Sequence, residues 1–129
     1  MIVILVHWQI SPEREQDFLH YWQTSGTVRD RTGLVGEFLS RVVPQDEIRT
    51  PWITWSLPQD EAAADAVHYV NVGVWSGEGP FLEQIAPDFG DDRPIQDFEL
   101  RRRRRLLLTP EAWRIGAVPL AQADSPGVV

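Results

Sequence analysis

The chain has 129 residues, of which 43% are hydrophobic, 24% charged and 10% aromatic, and its 12 basic and 19 acidic residues leave a net charge of −7. That is the length and make-up of one globular domain with a single core. The absence of cysteine rules out disulfides, thiolate nucleophiles and Cys-ligated zinc or iron–sulfur clusters, and the absence of lysine rules out a Schiff-base site and a Walker-type phosphate loop.

Residues 2–10 alternate, with Ile2, Ile4, Val6, Trp8 and Ile10 on one face and Val3, Leu5, His7 and Gln9 on the other. This predicts a strand covered on both sides at its start. The same segment lacks a basic leader and soon turns polar, so it reads as a strand and not as a signal peptide. Ser11-Pro12-Glu13 then opens a helix, with a hydroxyl cap, a proline at the first helical position and an acid at the positive end of the dipole. Phe18, Leu19 and Trp22 form its apolar stripe, and the pattern carries it to about Arg31 with Gly33 as the stop. Residues 34–43 read as a second strand, with Leu34, Phe38 and Val42 on one face and Val35, Leu39 and Val43 on the other. Residues 44–67 are an insertion broken by Pro44, Pro51 and Pro58, which carries Trp52 and Trp55 and a possible helical turn over Glu61–Ala66. A connection of this length with two tryptophans suits a lid or a partner-binding arm.

The third strand runs from His68 to Trp75, with Val70, Val72 and Val74 on one face and Tyr69, Asn71, Gly73 and Trp75 on the other. A short helix over 79–86 follows, striped by Phe81, Leu82 and Ile85, and then a loop over 87–96. The fourth strand is Phe98 to Leu108, and Thr109-Pro110-Glu111 predicts a last short helix through Arg114. The domain therefore spans 1–116, and residues 117–129 form a tail of small and polar residues. No apolar run approaches the roughly 20 residues that cross a bilayer. The order β-α-β-β-α-β is the ferredoxin-like α+β pattern, a four-stranded antiparallel sheet with both helices on one face. All four strands carry apolar residues on both sides, so the second face needs its own cover, and a second copy of the chain is the simplest one.

The Ser-Pro-Glu helix opening after the first strand, Gly33-Leu34-Val35-Gly36 at the start of the second and Val72-Gly73-Val74-Trp75-Ser76 before an aromatic helix together resemble the antibiotic-biosynthesis-monooxygenase-like, dimeric α+β barrel superfamily. The resemblance spans about residues 2–108, apart from the insertion at 44–67. It implies a homodimer whose two sheets pack into a barrel, with a pocket between each sheet and its helices. The superfamily includes cofactor-free oxygenases of aromatic polyketides, heme-degrading enzymes, isomerases and proteins of no known activity, so fold alone does not assign function. In the heme-degrading branch an asparagine on the first strand, a tryptophan on the third and a histidine on the second helix act together. Here only Trp75 matches, which argues against heme degradation by that constellation.

If Trp75 lines the pocket as the resemblance implies, Asn71 and Tyr69 share its face. A pocket amide at Asn71 suits a hydrogen bond to dioxygen or a substrate carbonyl, while its bland role is that of a paired buried amide. His7 and His68 are the imidazoles on strands and the natural general bases near neutral pH. His7 lies opposite Trp8 on its strand, so those two cannot line one pocket. The three histidines are scattered and carry no metal-ligand spacing. Trp8 and Trp22 suit either the core or the wall of a site for a flat aromatic ligand.

The arginine run 101–105 is split by strand alternation. Arg102 and Arg104 go with Phe98, Leu100, Leu106 and Leu108, and Arg101, Arg103 and Arg105 go with Glu99 and Leu107. The split and the acid excess argue against nucleic-acid or anionic-membrane binding and for pairing with carboxylates, with Arg102 as the candidate for an anionic substrate group. Gly77-Glu78-Gly79 is a turn, since Glu78 would repel a phosphate.

The expected protein is thus a cytoplasmic homodimer acting without cofactor or metal as a monooxygenase of a small aromatic or quinol-like molecule. Asn71, Trp75, His7 and His68 are the candidate catalytic set, and Trp8, Trp22, Tyr69 and Arg102 the candidate substrate contacts. The rival is a non-catalytic ligand-binding or stress-related homodimer of the same fold, and a third reading is heme binding without the usual residues.

Overall fold

The structure, a computed structural model, describes residues 1–24, 28–44, 47, 65–86 and 94–118. Most of the 44–67 insertion with Trp52 and Trp55, residues 25–27 within the first predicted helix, the loop at 87–93 and the tail from 119 onward lie outside the described residues.

Strand β1 (Ile2–Ile10) has the predicted bounds, followed by a 3-10 turn over Pro12–Arg14 and helix α1 (Glu15–Thr24). Strand β2 is Leu34–Arg41, β3 is Val67–Trp75, helix α2 is Glu78–Ile85 and β4 is Glu99–Leu108. All pairings are antiparallel and the sheet order is β2-β3-β1-β4, so the two central strands are the two most regular apolar alternations in the chain. This is the ferredoxin-like α+β fold. Among the described residues no helix is long and apolar enough to cross a membrane.

Alternation assigns the faces. Ile4, Val6, Trp8 and Ile10 of β1 and Tyr69 and Trp75 of β3 are buried under the helices. Phe18 of α1, fully buried, has its ring 5.0 Å from those of Trp8 and Tyr69 and 5.6 Å from that of Phe98. Phe81 of α2 meets Trp75 edge-on at 5.8 Å, and Ile85 is buried one turn on. One aromatic from α1 and one from α2 therefore seat the helices on the same face, each adding ring contacts to the area it removes from water. Gly33 sits where any Cβ would meet the ring of Pro80, so its lack of a side chain lets the start of β2 close against α2. The Gly33 carbonyl also accepts a hydrogen bond from the Ser76 N–H at 2.9 Å.

Several expectations change. Helix α1 ends at Thr24 and residues 28–31 are not helical, so the helix does not reach Arg31, and Glu78 and Gly79 form the first turn of α2 with Gly77 as its cap, not a separate turn. The Ser11 side chain makes no cap hydrogen bond; its carbonyl accepts from the Arg14 N–H at 2.9 Å, which closes the 3-10 turn instead. In β2 a register shift between Leu34 and Gly36 breaks strict alternation. As a result Leu34 and Leu39 point to the helix side and Phe38 to the other, because a bulge exchanges the faces beyond it. Phe98 precedes β4 and packs on Phe18 and Tyr21, so it does not share a face with Arg102 and Arg104. Residues 109–118 form no helix. Trp113 and Ile115 are exposed there, and so short a segment has no packing to offset the cost of helix nucleation.

Candidate functional site

Residues from all four strands, two of them from β4, build a continuous polar line across the helix-facing side. On β4 the Glu99 and Arg103 side chains are both fully buried, with Arg103 Nε donating to Glu99 Oε1 at 2.9 Å and Nη2 donating to Oε2 at 2.8 Å. Glu99 Oε2 also accepts the backbone N–H groups of Ile95 and Gln96 at 3.1 and 2.9 Å. The turn before the strand thus locks the carboxylate, and the carboxylate locks the arginine. The guanidinium carbon lies 3.9 Å over the Trp8 ring of β1. Trp8 Nε1 donates to Asn71 Oδ1 of β3 at 3.1 Å, and Asn71 Nδ2 donates to Glu37 Oε2 of β2 at 3.2 Å. Burial raises the Glu37 carboxyl above its ordinary value, and the Arg31 charge only partly offsets this. Glu37 is therefore a carboxyl that holds a proton more tightly than a surface acid, which is the property a general base near neutral pH needs.

Gly73 stands between Asn71 and Trp75 on the same face. A Cβ there would come within 3.1 Å of Trp75 Nε1 and 3.5 Å of Glu37 Oε2, so the bare backbone keeps the space between the indole and the carboxylate. Tyr69 donates its hydroxyl to Glu15 of α1, and Arg41 Nε reaches the same carboxylate oxygen at 3.0 Å. Burial and the Glu15 contact push the Tyr69 phenol up to about 12, while the bond from Tyr69 holds Glu15 below its ordinary value. Trp22 of α1 packs partly buried against the core.

Arg103 Nη1 is buried and has no hydrogen-bond partner, the one such side-chain atom among the described residues. An unmet buried donor typically costs about 1–3 kcal/mol.

The other face of the sheet carries a second cluster. His7 Nε2 and His68 Nδ1 lie 3.0 Å apart with their rings stacked at 5.3 Å and 21°. Burial first, then His68 and Arg104, lower His7 to about 4, and burial lowers His68. Arg104 is opposite His7 in the β1–β4 register. Around them stand Val70 and Val72, with Phe38 and Leu106 half exposed.

The candidate residues are thus divided. Asn71, Trp75, Trp8 and Tyr69 come together under the helices with Trp22 near them, whereas His7 and His68 meet on the opposite face. The sheet stands between a base at either histidine and a substrate held by Asn71 in the same chain. Arg102 is half-buried on β4 beside a register irregularity, and it is Arg103 that lies over Trp8. Sequence reasoning missed Glu37, which the bulge in β2 turns toward Asn71. The sequence placed Glu99 and Arg103 on one face, but carboxylate partners for the arginines were expected across the sheet or across the dimer, and the pair forms within β4. No group of three or more His, Asp or Glu side chains converges as a metal site among the described residues.

No protein-family model matches the chain, and no curated protein matches it. Among solved structures it is similar to a MhuD variant crystallised with two manganese protoporphyrin IX molecules bound per active site. That likeness has 15% identity and a TM-score of 0.55, and it covers 90% of this chain and 100% of the other. It bears out the ferredoxin-like α+β fold.

Proposed function

We propose that this chain is a cofactor-independent monooxygenase of a small aromatic or quinol-like substrate, working as a cytoplasmic homodimer. The observation that carries this reading is the Asn71 amide, held between the Trp8 N–H and a Glu37 carboxyl of raised proton affinity, on the face that also presents Trp75. Glu37 takes the phenolic proton, and the resulting phenolate passes an electron to dioxygen. Recombination forms a C–O bond, and loss of water leaves a quinone. One oxygen atom enters the product and the other leaves as water together with the former ring and hydroxyl hydrogens. Asn71 holds the developing oxyanion through the second N–H of its amide, and the buried tryptophans keep bulk water out.

Dioxygen consumption with 1-naphthol or a dihydroxynaphthalene, followed with labelled oxygen, tests the reading. Glu37→Gln and Asn71→Ala are each expected to slow uptake by about 100-fold or more. Uptake unchanged in Asn71→Ala or Trp75→Phe removes the assignment.

The porphyrins in the similar structure favour a second reading, a binder of a large flat ligand such as heme. The donor set does not fit axial ligation: His7 and His68 stand on the far face of the sheet, and His20 is exposed on α1. A Soret shift on titrating heme, lost in Trp75→Ala and kept in His7→Ala, would support the second reading over the first.

A further inference from the structure

We propose that the His7–His68 pair is an acid-sensitive latch on self-association: a second copy is held on the open side of the sheet while both imidazoles are neutral, and is released when the pair takes up protons. The inference rests on the homodimer reading above, and it adds the condition under which the two copies part.

Three observations carry it. First, the pair stands in the middle of the open side. His7 is on β1 and His68 on β3, the two central strands, and Val70, Val72, Phe38 and Leu106 surround them, the last two half exposed. A copy that covers this apolar surface takes the rings out of the water that they still meet in one chain. Second, the contact admits one proton between the rings. His7 Nε2 and His68 Nδ1 are 3.0 Å apart, so one nitrogen donates an N–H and the other accepts it. A first added proton goes to an outer nitrogen and leaves a half-buried cation. A second puts an N–H on both facing nitrogens and ends the hydrogen bond. Third, the strands supply no carboxylate to balance that charge. On this side β4 sets Arg104 opposite His7 and Arg101 opposite Gln9, with Arg102 in the irregularity between them, while β2 presents Phe38 and Ser40. The two carboxylates on the strands, Glu37 and Glu99, both face the helices. Two copies set face to face would bring two such pairs and their arginines together, so protonation places like charges in a poorly solvated interface. Burial already lowers both imidazoles in one chain, His7 from 6.5 to about 4, and a second copy deepens the same effect. The covered pair therefore binds fewer protons than the released one, and by linkage dissociation is favoured as pH falls below 6.5.

The test is sedimentation equilibrium of the full chain at about pH 7.5 and about pH 5, beside the double variant His7→Gln with His68→Gln, whose amides can hydrogen-bond to each other but cannot take up a proton. The dimer Kd of the unaltered chain is expected to rise at least about tenfold at the lower pH, with the circular dichroism of the folded chain retained, and that of the double variant to change by less than about threefold. The variant keeps every carboxylate, so acid effects from elsewhere in the chain act on both proteins alike. In the unaltered chain the midpoints at which the His7 and His68 ring resonances titrate should fall as protein concentration is raised through Kd, with His20, exposed on α1, as the reference ring. That readout survives if the double variant fails to fold or to associate. An equal Kd at the two pH values, an equal rise in the double variant, or ring titrations independent of concentration each overturn the latch and leave the homodimer reading standing. A mass of one chain at the higher pH overturns both.

Discussion

The side of the sheet under the helices and the side turned away from them are made of alternate residues of the same four strands, yet their polar groups are handled in opposite ways. Under the helices, Glu99, Arg103, Trp8, Asn71 and Glu37 are joined from edge to edge, and the cost of burial is met by pairing each group with its neighbour. On the other side the His7–His68 pair, with Arg104 and the buried Gln9 beside it, sits among branched aliphatic residues, and burial is met by keeping the imidazoles neutral. The first arrangement preserves charge in the interior and the second suppresses it. Chemistry that needs a fixed donor or a poised carboxyl belongs on the first side, and association through apolar surface belongs on the second.

The largest effect expected is on the helix side. Glu99→Ala leaves Arg103 buried and unpaired and should cost about 3–5 kcal/mol in urea unfolding, while replacing both partners by Met should cost far less or nothing. A small loss in the single variant would mean that water reaches the pair, and the contrast between the faces would weaken. Next comes the open side, where Leu106 and Phe38 are 55% and 50% exposed in one chain. Leu106→Arg should halve the mass seen by light scattering while leaving the circular dichroism of the monomer unchanged, because the residue adds little to the core under the helices. A mass already that of one chain in the unaltered protein would show that no second copy covers this face.

The smallest effect is on pH dependence. His7 titrates at about 4 when folded against 6.5 ordinarily, so between those values the unfolded chain binds the proton that the folded one refuses. Stability is therefore complete above about pH 6.5 and is lost as pH falls toward 4. The loss should be about 1–2 kcal/mol, reduced from the fully buried case by screening of the half-buried ring. His7→Gln should flatten that part of the stability profile, and an unchanged slope would move the pH dependence elsewhere. Glu37 has the opposite sign. Its raised carboxyl contributes stability that is present below pH 4.5 and declines as pH rises through the folded value, which Glu37→Gln should abolish.

Much of this architecture is legible in residue order. The strict alternation of 2–10 and 68–75 assigns Trp8, Asn71 and Trp75 to one side and His7 and His68 to the other without reference to any contact. Glu99 and Arg103 share a face for the same reason. Glu37 was not legible, because a bulge between Leu34 and Gly36 exchanges the faces of β2, and an inserted residue leaves no periodic trace in so short a strand. The helix expected after Thr109 failed for a related reason: its cap signals are local, but what sustains a helix of that length is packing.

What the sequence determined by itself is therefore the set of faces, since the two-residue repeat of an extended chain is built into its covalent geometry. It also determined the exclusion of chemistry that needs a lysine or cysteine side chain, since those residues are absent. Which members of a face touch was decided only by the tertiary structure. Trp8 and Asn71 are 63 residues apart, and Asn71 and Glu37 are 34 apart. They meet because β1 pairs with β3 and β3 with β2 in one register each, and that register is chosen by the packing of Phe18, Trp75 and Phe81 on the assembled sheet. A hydrogen bond across strands has no signature along the chain, because it depends on a distance that exists only after the strands are aligned.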